Sequence, residues 1–515
     1  MNSNPTRDTS EPSEEQIFAL LSQIQDWQIN HGSLLKLAES QTENSVLSYP
    51  VGVSVFPTVF PRLQFYRAMD LQPIYNELYA AIAMDEDWLY NVTKDLVSVE
   101  PLAGALWEIR QEAKHTVIAQ DITAGIFRSD YMLHLNDSSL PDSLEAHSQA
   151  TLKQVEFNAF SCAGASHAKK VADMHRYMDR IGAYDLETET EQQVSDTSSL
   201  PQNHNIESLA SFLASAHTAY GPPKSKAARQ TAVLYIVQPK NFNIADERPI
   251  EYALWNRTEP VPTYRLNWGD DVLQYTSLTE SRELLFHPPW LKAKAPLEVS
   301  VVYLRAGYEA HEYDLVGRQT RLRLEMSSAI KCPSILSHIS TFKKVQQALT
   351  APGEIERFIS PQKAKRVRET FAIIHPLDQS PEGLHARKLV SDKDCSNYIL
   401  KPSLEGGGHN IYDRIPEFLT SIPVSYWSSY VLMERIQPPV SKNVLMGPAG
   451  VDGGQVVSEL GIFGACLWRS TTEKGFDLLQ NSCAGWSFKT KHADVDEMSV
   501  VKGYGCFDTP RLIEY

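Results

Sequence analysis

The chain lacks the sequence patterns of several large protein classes. Its six cysteines include no CxxC pair, and in a chain of 515 residues their scatter indicates free thiols in a reducing compartment. Lysine and arginine number only 48 against 63 acidic residues, so the net charge of -15 disfavours nucleic acid as a partner. No stretch reaches the roughly 18–20 apolar residues that cross a bilayer, and the polar N-terminal residues include no apolar run of a signal peptide. We therefore expect a cytoplasmic protein with no membrane and no nucleic-acid partner.

Common catalytic motifs are missing as well. The 15 histidines include no HExxH pair, which disfavours a zinc hydrolase. There is no GxSxG, and no cysteine lies in a recognisable nucleophile motif. The glycine-rich stretch has the wrong spacing for a P-loop or a dinucleotide-binding fingerprint. Any catalytic residues must therefore belong to motifs other than these common ones.

The order of predicted elements indicates an α/β or α+β protein with two open sheets. The length implies two or three packed units. Apolar residues recur at helical spacing in EEQIFALLSQIQDWQINHG, which ends at Gly32, and another helix is predicted in SPQKAKRVRETFAII. Strands are predicted in TLKQVEFNAF, TAVLYIVQ, VSVVYLRAGY, NYILKPS, SYVLMERI and VVSELGIFGACLW. We expect a polar insertion at about residues 188–205.

A glycine-rich loop follows one of these predicted strands, in KPSLEGGGHN. Consecutive glycines, among them Gly406 and Gly407, let backbone N–H groups approach phosphate oxygens. Lys401 adds a cation for the same phosphates. The Glu405 carboxylate and the Asn410 amide oxygen are hard ligands that suit magnesium. A bare run of glycines is more often a flexible surface turn than a phosphate loop.

Further polar residues are candidates for the same site. Glu156 and Asn158 lie two residues apart on one predicted strand, so both side chains face the same side of the sheet. The simpler interpretation of this pair is the solvated face of an edge strand. Arg128 and Arg305 are candidates for binding carboxylates, although each alone is typical of a surface charge. The whole set suits ATP activating a carboxylate. It suits hydrolysis or a kinase nearly as well.

Seven sequence blocks resemble the eukaryotic glutathione synthetases and occur in the order of that family. The blocks are IFRSDYM, QVEFNAFS, VVYLRAGY, FKKVQQALTAPG, KPSLEGGGHNIY, YVLMERIQP and SELGIFG. One short motif arises by chance, but seven in order do not. The resemblance extends from about residue 45 to the end of the chain.

The resemblance implies an ATP-grasp fold, in which ATP lies between two sheets and a glycine-rich lid closes over it. It implies a smaller inserted parallel-sheet domain that binds the substrate. It also implies a reaction: ATP phosphorylates the cysteinyl carboxylate of γ-glutamylcysteine, and the glycine amine attacks the acyl phosphate, releasing phosphate. Magnesium is the implied cofactor, and a homodimer is the implied assembly.

The resemblance also divides the chain into regions. We predict a disordered tail over residues 1–15, then an N-terminal helical region with the first part of the ATP-grasp sheet over 16–220. A substrate-binding α/β domain follows over 221–340. The ATP-grasp and lid region covers 341–515, with the glycine-rich loop at 401–412 and a substrate lid at 494–503.

Individual residues match the positions that carry the family's chemistry. The positions that match catalytic residues are Arg128 and Lys401. The implied magnesium ligands are Glu156, Asn158 and Glu405. The implied ATP-binding residues are Lys343, Lys401, Glu405, Gly406, Gly407, Asn410, Tyr412, Met433, Ile436, Glu459 and Lys491. The implied peptide-binding positions are Arg128, Ser161, Asn243, Glu247, Arg305, Tyr308, Lys489, Val500 and Val501.

The peptide half departs from the family's pattern, whereas the ATP half does not. A family serine is replaced by Ala163, a glutamine by Glu247 and an arginine by Lys489, and an alanine-rich GGVAAG lid reads MSVVKG at 498–503. Lysine cannot reproduce the bidentate clamp of arginine on a carboxylate. Tolerated drift is the simpler explanation, but all four departures fall at the peptide end and none at the ATP end, which favours a changed donor or acceptor over drift.

We predict an ATP-dependent carboxylate–amine ligase with γ-glutamylcysteine and glycine as reference substrates. One alternative is a paralogue that joins a different donor or a different acceptor amine. Two others are a phosphotransferase that ends at the acyl phosphate and a non-catalytic nucleotide-binding regulator.

Overall fold

The computed structural model describes residues 14–37, 47–114, 120–136, 144–184, 199–291, 295–391, 395–403, 409–471 and 475–514. The helices are α1 (Glu14–Asn30), α2 (Arg62–Met84), α3 (Glu86–Thr93), α4 (Pro101–Lys114), α5 (Leu144–Gln149), α6 (Ala165–Arg180), α7 (Asn205–Tyr220), α8 (Ile244–Trp255), α9 (Asp270–Tyr275), α10 (Leu315–Glu325), α11 (Ile335–Ile339), α12 (Lys343–Leu349), α13 (Pro361–Arg368), α14 (Pro381–Ser391) and α15 (Ile415–Ser421).

The first strands are β1 (Leu34–Lys36), β2 (Ser48–Pro50), β3 (Val53–Ser54), β4 (Thr58–Pro61), β5 (Ile122–His134), β6 (Thr151–Asn158), β7 (Thr231–Val237), β8 (Thr263–Asn267), β9 (Thr276–Leu278), β10 (Leu284–Phe286), β11 (Leu297–Leu304) and β12 (Ile330–Cys332). The remaining strands are β13 (Ile374–Pro376), β14 (Tyr398–Pro402), β15 (Tyr430–Glu434), β16 (Ser441–Gly447), β17 (Gly450–Ser470), β18 (Phe476–His492), β19 (Cys506–Asp508) and β20 (Pro510–Ile513).

The central sheet has seven strands in the order β16-β3-β19-β18-β17-β5-β6. Its longest part is the hairpin of β17 and β18, and β5 and β6 extend it antiparallel. Alternate residues of β5 point to opposite faces. Phe127 and Tyr131 pack in the core that contains α2, whereas Ala124 and Ile126 pack in the core that contains α7. Both faces of the sheet are therefore covered by helices.

A second sheet has the order β8-β7-β11-β10-β9, with β12 paired to β11. The pairs β7–β8, β7–β11 and β11–β12 are parallel, whereas β9, β10 and β11 pair antiparallel. The inserted sheet is therefore parallel in its centre but not throughout, which corrects the prediction of a parallel sheet. Every residue of β7 and β11 is buried, as expected for central parallel strands covered on both faces.

A third, smaller sheet of β13, β15 and β14 faces the central sheet across the candidate site. All its pairings are antiparallel. Helices α14 and α15 pack on this sheet around Leu400 and Leu432. The small sheet is therefore held by its own apolar cluster.

Each quoted segment contains the predicted helix or strand, although α13 ends at Arg368 and the last residue of that segment, Ile374, begins β13. The N-terminal helix begins at Glu14, so it overlaps the tail predicted over residues 1–15, and residues 1–13 lie outside the described residues. Of the insertion predicted at about 188–205, residues 199–205 are described, and buried Asn205 begins α7. The domain boundaries remain predictions. Among the described residues, no helix is long and apolar enough to cross a membrane.

Gly464 in β17 allows α2 to approach the central sheet. A Cβ atom here would lie 2.0 Å from Asn76 Oδ1 and 2.5 Å from Gln72 Nε2. Both side chains are buried, and the Asn76 amide also donates to Asn481 Oδ1 at 2.9 Å. A side chain at position 464 would therefore break a buried polar network.

We expect Gly464→Ala to lower the free energy of unfolding by about 1–3 kcal/mol, because the network cannot move away without losing hydrogen bonds. Gly447→Ala is the matched control, because no atom lies within 4 Å of a Cβ there. It should change stability by less than about 0.5 kcal/mol. Chemical denaturation of both variants is the measurement, and equal midpoints would contradict the packing argument.

Candidate active site

Four polar residues come together on one face of the central sheet. In the register of β5 and β6, Arg128 lies opposite Asn158 and Asp130 lies opposite Glu156. Residues two apart on a strand share a face, so all four side chains project to the same side. The structure thus brings together Arg128, Glu156 and Asn158, which the sequence predicted separately.

Asp130 links this group, and its role was not predicted. Arg128 donates from Nε and Nη2 to the two carboxylate oxygens of Asp130, each at 2.7 Å. Asn158 Nδ2 donates to Asp130 Oδ2 at 3.0 Å and to Glu156 Oε1 at 3.3 Å. The adjacent strand must carry glycine at position 461, because a Cβ there would lie 2.7 Å from Asp130 Oδ1. Aspartate in the RSD sequence was the available indication.

Two lysines lie beside Glu156. Lys343 Nζ at the start of α12 is 3.5 Å from Glu156 Oε2, and Lys401 Nζ donates to the Val155 carbonyl at 3.2 Å. Burial raises the pKa of Glu156, but the cations of Lys343, Lys401 and Arg128 outweigh burial and lower this pKa to about 2. Burial lowers the pKa of Lys401 to about 8, although Glu156 opposes the change. The carboxylate is therefore ionised at every physiological pH, whereas the pKa of Lys401 lies near 8.

A cavity of about 290 Å³ lies between the central sheet and the small sheet. Eight of the predicted residues line it: Glu156, Lys401, Asn410, Tyr412, Met433, Ile436, Glu459 and Lys491. They come from five strands and two loops far apart in the chain. The cavity wall thus combines apolar side chains, Met433 and Ile436, with charged ones. The apolar part suits a flat apolar ring, and the lysines suit anionic groups.

Other lining residues were not predicted. The segment after β15 contributes Arg435, Gln437 and Pro438, which lie within the YVLMERIQP block around the predicted Ile436. Residues 495–498 form another wall, and Glu497 Oε1 accepts the Asn410 backbone N–H at 2.9 Å. Lys491 Nζ donates to the Val495 carbonyl. Part of the segment predicted as a substrate lid therefore lines the same cavity as the predicted ATP-binding residues.

The loop between β6 and α6 accepts hydrogen bonds from both the central sheet and the inserted sheet. Arg128 Nη1 donates to the Ala163 carbonyl at 2.9 Å, and Arg305 Nη1 donates to the Cys162 carbonyl at 2.7 Å. Ser161, just before them, has a φ of 48°, which is unusual for a residue other than glycine. Such backbone strain is often found at functional sites. Two predicted peptide-binding arginines thus hold consecutive carbonyls of the loop that contains Ser161.

The other predicted peptide residues lie around Arg305. Its Nε is 3.3 Å from Glu247 Oε1, and its Nη2 is 3.6 Å from Asp246 Oδ2. Burial raises the pKa of Glu247, although Arg305 and Arg265 oppose this. Tyr308 is half-buried, and burial raises its pKa to about 12. Glu247 is therefore the internal counter-ion of Arg305.

The remaining predicted positions differ in their surroundings. Asn243 precedes α8, where its carbonyl accepts the backbone N–H groups of Asp246 and Glu247. Val500 packs in a buried apolar cluster, whereas Val501 is 42% exposed.

Lys489, a predicted peptide residue, forms a 2.5 Å ion pair with Glu459, a predicted nucleotide residue. The two residues are direct partners in the register of β17 and β18. Lys489 thus contacts a residue that lines the nucleotide cavity, Glu459, and is not itself among the lining residues.

The predicted residues Glu405, Gly406 and Gly407 lie outside the described residues. Among those described, no three histidine, cysteine, aspartate or glutamate side chains converge as a metal cage. The ionised Glu156 and the amide oxygen of Asn158 nevertheless suit Mg²⁺, which takes few protein ligands and keeps phosphate and water oxygens. The Asn158 nitrogen points to two carboxylates, so its oxygen remains for another partner.

A cavity between two sheets, lined by lysines, carboxylates and apolar side chains, places the protein in the mixed α/β ATP-grasp class. The sequence matches the family profile described as "Eukaryotic glutathione synthase, ATP binding domain" over residues 14–512. The chain therefore belongs to the eukaryotic glutathione synthetase family. The predicted fold class and family are both confirmed.

Relatives of known name are similar along nearly the full chain. The "Glutathione synthetase large chain" of Schizosaccharomyces pombe is 30% identical over 518 residues, covering 97% of this chain and 98% of that one. The glutathione synthetase of Homo sapiens is 29% identical, covering 96% and 97% respectively. A solved glutathione synthetase-like effector (GSS30) from Globodera pallida, in its apo form, aligns with a TM-score of 0.72 and 20% identity. That alignment covers 99% of this chain and 100% of the effector, and at this identity it shows the fold alone.

We expect the affinity of the chain for ATP to fall as pH rises through about 8, because Lys401 loses its charge there in the free protein. The loss should approach tenfold per pH unit until the pKa of the bound state is reached. Lys401→Arg is the control, because arginine remains protonated and should remove most of this step. Calorimetric titration from about pH 6.5 to 9.5 is the measurement. An unchanged pH profile in the arginine variant would contradict the role given to Lys401.

Proposed function

We propose that this protein is an ATP-dependent ligase that joins a carboxylate to an amine through an acyl phosphate, with release of ADP and phosphate. The observation that carries the proposal is the continuous group of Lys343, Lys401, Glu156 and Arg128 between the nucleotide cavity and the loop at Ser161. Family membership supports the same reaction type. The reference substrates are γ-glutamylcysteine and glycine.

Each group has a role that follows from its position. Lys343 and Lys401 hold phosphate oxygens and neutralise charge as the γ-phosphoryl group moves. Arg128 is kept rigid by Asp130. Three of its N–H groups are used by Asp130 and the Ala163 carbonyl, and two remain for the donor carboxylate or the acyl phosphate. Met433 and Ile436 contact the adenine, and residues 495–498 help to exclude water.

Glu156 and Asn158 are the described residues that would hold Mg²⁺, and the implied third ligand is Glu405. When bound, the metal would supply positive charge to the phosphate oxygens. Glu156 would serve both Lys343 and the metal: its carboxylate orders the Lys343 ammonium and would also be a metal ligand. We further propose a cytoplasmic protein that forms a homodimer, as implied by the family resemblance.

A second candidate is a paralogue of the glutathione synthetases with a different donor or acceptor. Two observations favour it. Glu247 pairs with Arg305 and Lys489 pairs with Glu459, so two cations that would bind substrate carboxylates have internal partners. A substrate carboxylate would have to compete with each pair. The nucleotide end has no comparable change.

The first experiment measures phosphate release and amide formation by the purified chain with ATP, Mg²⁺, γ-glutamylcysteine and glycine. We expect Glu156→Gln to lower turnover by about 100-fold or more, because it removes the charge that orders Lys343 and a metal ligand. Glu369→Gln, in a surface pair with Arg67, is the matched control and should leave turnover unchanged.

Three other outcomes of this experiment are informative. Unchanged turnover in Glu156→Gln would refute its role. Hydroxamate formed with hydroxylamine, without amide product, would identify a phosphotransferase. Robust glutathione formation by the unmodified chain would refute the paralogue, and no phosphate release across a broad amine screen would refute the ligase.

The acceptor end has its own test. We expect Lys489→Arg, combined with a GGVAAG sequence at 498–503, to raise kcat/KM for glycine by about tenfold or more. Arginine can hold Glu459 and a substrate carboxylate at the same time, whereas a lysine point charge holds them less well. Lys489→Arg alone is the control that separates the clamp from the lid. No gain in either variant would show that these positions do not select the acceptor.

A further inference from the structure

A wide groove lies between α3 and α12, apart from the candidate active site. Its volume is about 710 Å³, and the end of β13 and the start of α14 complete its wall. It shares no lining residue with the nucleotide cavity, and nothing in the proposed ligase reaction uses it. Helix α12 nevertheless links the two sites, because its first residue, Lys343, lies beside Glu156, whereas the next residue, Lys344, lines the groove.

The groove is strongly acidic. Both of its cations already have partners, since Lys344 Nζ is 3.0 Å from Asp378 Oδ2 and Arg357 Nη2 is 3.8 Å from Asp85 Oδ2. Uncompensated negative charge in a groove attracts cations and repels an anion such as a nucleotide. Six carboxylates and the two cations give the wall a net charge of -4, and the carboxylates are Asp85, Asp87, Asp95, Glu354, Asp378 and Glu382.

The free carboxylates lie at opposite ends of the groove. Trp88 Nε1 donates to Glu354 Oε2 at 2.8 Å, so the start of α3, with Asp87, lies beside the segment that follows α12. Asp95 is eight residues further along the chain, about 12 Å away at the helical rise per residue. Both aspartates are exposed, and neither forms an ion pair with a described residue. Because metal ligands lie about 2–2.6 Å from their ion, carboxylates this far apart cannot bind one metal ion together.

One face of α12 and the turn after it forms the floor of the groove. Lys344, Gln347, Ala348 and Ala351 recur there at helical spacing. Lys344, paired with Asp378, lies about 10 Å along the chain from Ala351. Gln347 lies between them and is only 6% exposed. Its amide forms no hydrogen bond with a described residue and remains accessible in the wall. A buried amide without a partner is rare, so a ligand group is expected at the middle of the groove.

The remaining wall is mainly apolar. Trp88, Val92, Ala348 and Pro376 line it between the acidic ends. The volume falls within the range of small-molecule sites. The ligand should therefore be an elongated small molecule with cationic ends and an apolar chain.

We propose that this groove binds a linear polyamine, an aliphatic chain with an ammonium at each end and another in the middle. One terminal ammonium binds Asp87 and Glu354, and the other binds Asp95. The central ammonium donates to the amide oxygen of Gln347, and the methylene groups lie on Trp88. Extended spermidine spans about 11 Å between its terminal nitrogens, which matches the separation of the acidic ends. A monoamine would reach only one end.

The test is calorimetric titration of the full chain with spermidine, without nucleotide, at about 0.15 M salt. Two diamines serve as matched ligands. Octane-1,8-diamine has the span of spermidine but lacks the central nitrogen, and butane-1,4-diamine is too short to reach both ends. We expect one spermidine per chain, bound about fivefold more tightly than the octane diamine and about tenfold or more tightly than the butane diamine.

Variants assign each ammonium to its partner. Asp87→Asn and Asp95→Asn should each weaken spermidine binding by about fivefold or more, because each removes the free carboxylate of one end. Gln347→Leu should lower the affinity for spermidine to that for the octane diamine and leave the affinity for this diamine unchanged. Asp26→Asn, at an exposed position of α1 outside the groove, is the control for lost charge and should bind as the unmodified chain does. Thermal unfolding checks that each variant is folded.

Several results would overturn the proposal. One is the absence of saturable spermidine binding below about 1 mM. Another is equal binding of spermidine and the butane diamine. If Asp87→Asn and Asp95→Asn bind spermidine as Asp26→Asn does, the net charge of the protein alone attracts the polyamine. A tetralysine peptide that binds more tightly than spermidine would identify a basic peptide segment as the ligand instead.

Discussion

The candidate active site depends on one electrostatic constraint: charges placed on the covered face of a sheet must neutralise one another. Arg128, Asp130 and Glu156 lie on neighbouring strands, with Asp130 buried and the other two partly buried, where an unpaired charge is destabilising. Asp130 meets this constraint by holding the guanidinium of Arg128 with both oxygens while it orients Asn158. Removing one member would leave its neighbours uncompensated, so the group acts as a unit.

The same constraint joins the nucleotide cavity to the inserted domain. Lys343 and Lys401 balance Glu156 at one end, and Arg128 reaches the Ala163 carbonyl at the other. Arg305 then holds the next carbonyl of that loop from the inserted sheet. The central sheet and the inserted sheet therefore meet through arginine side chains that donate to two consecutive carbonyls of the loop between β6 and α6. A ligand that binds Arg128 or Arg305 would therefore affect the loop that the other arginine also holds.

Much of this could be predicted from sequence, because strands and sequence blocks are local. The β6 pattern predicted that Glu156 and Asn158 share a face, and the family blocks predicted eight residues of the cavity wall. Asp130 was missed because its importance depends on cross-strand register, which places Gly461 beside it. The pairing of Lys489 with Glu459 was missed for the same reason. The antiparallel extension of the inserted sheet came from β9 and β10, two three-residue strands too short for a recognisable alternation.

The departures from the family pattern also follow from charge balance. Glutamate at 247 adds a negative charge beside buried Arg305, which already faces Asp246. Lysine at 489 keeps the positive charge that Glu459 requires but offers a point charge in place of a planar fork. Both changes leave each buried charge paired with an opposite charge, so the fold tolerates them. Glu247 reduces the free positive charge available to a substrate carboxylate, and Lys489 reduces the number of hydrogen-bond donors available to it. The fold and the predicted nucleotide residues can therefore be kept while the side chains predicted to bind donor and acceptor change.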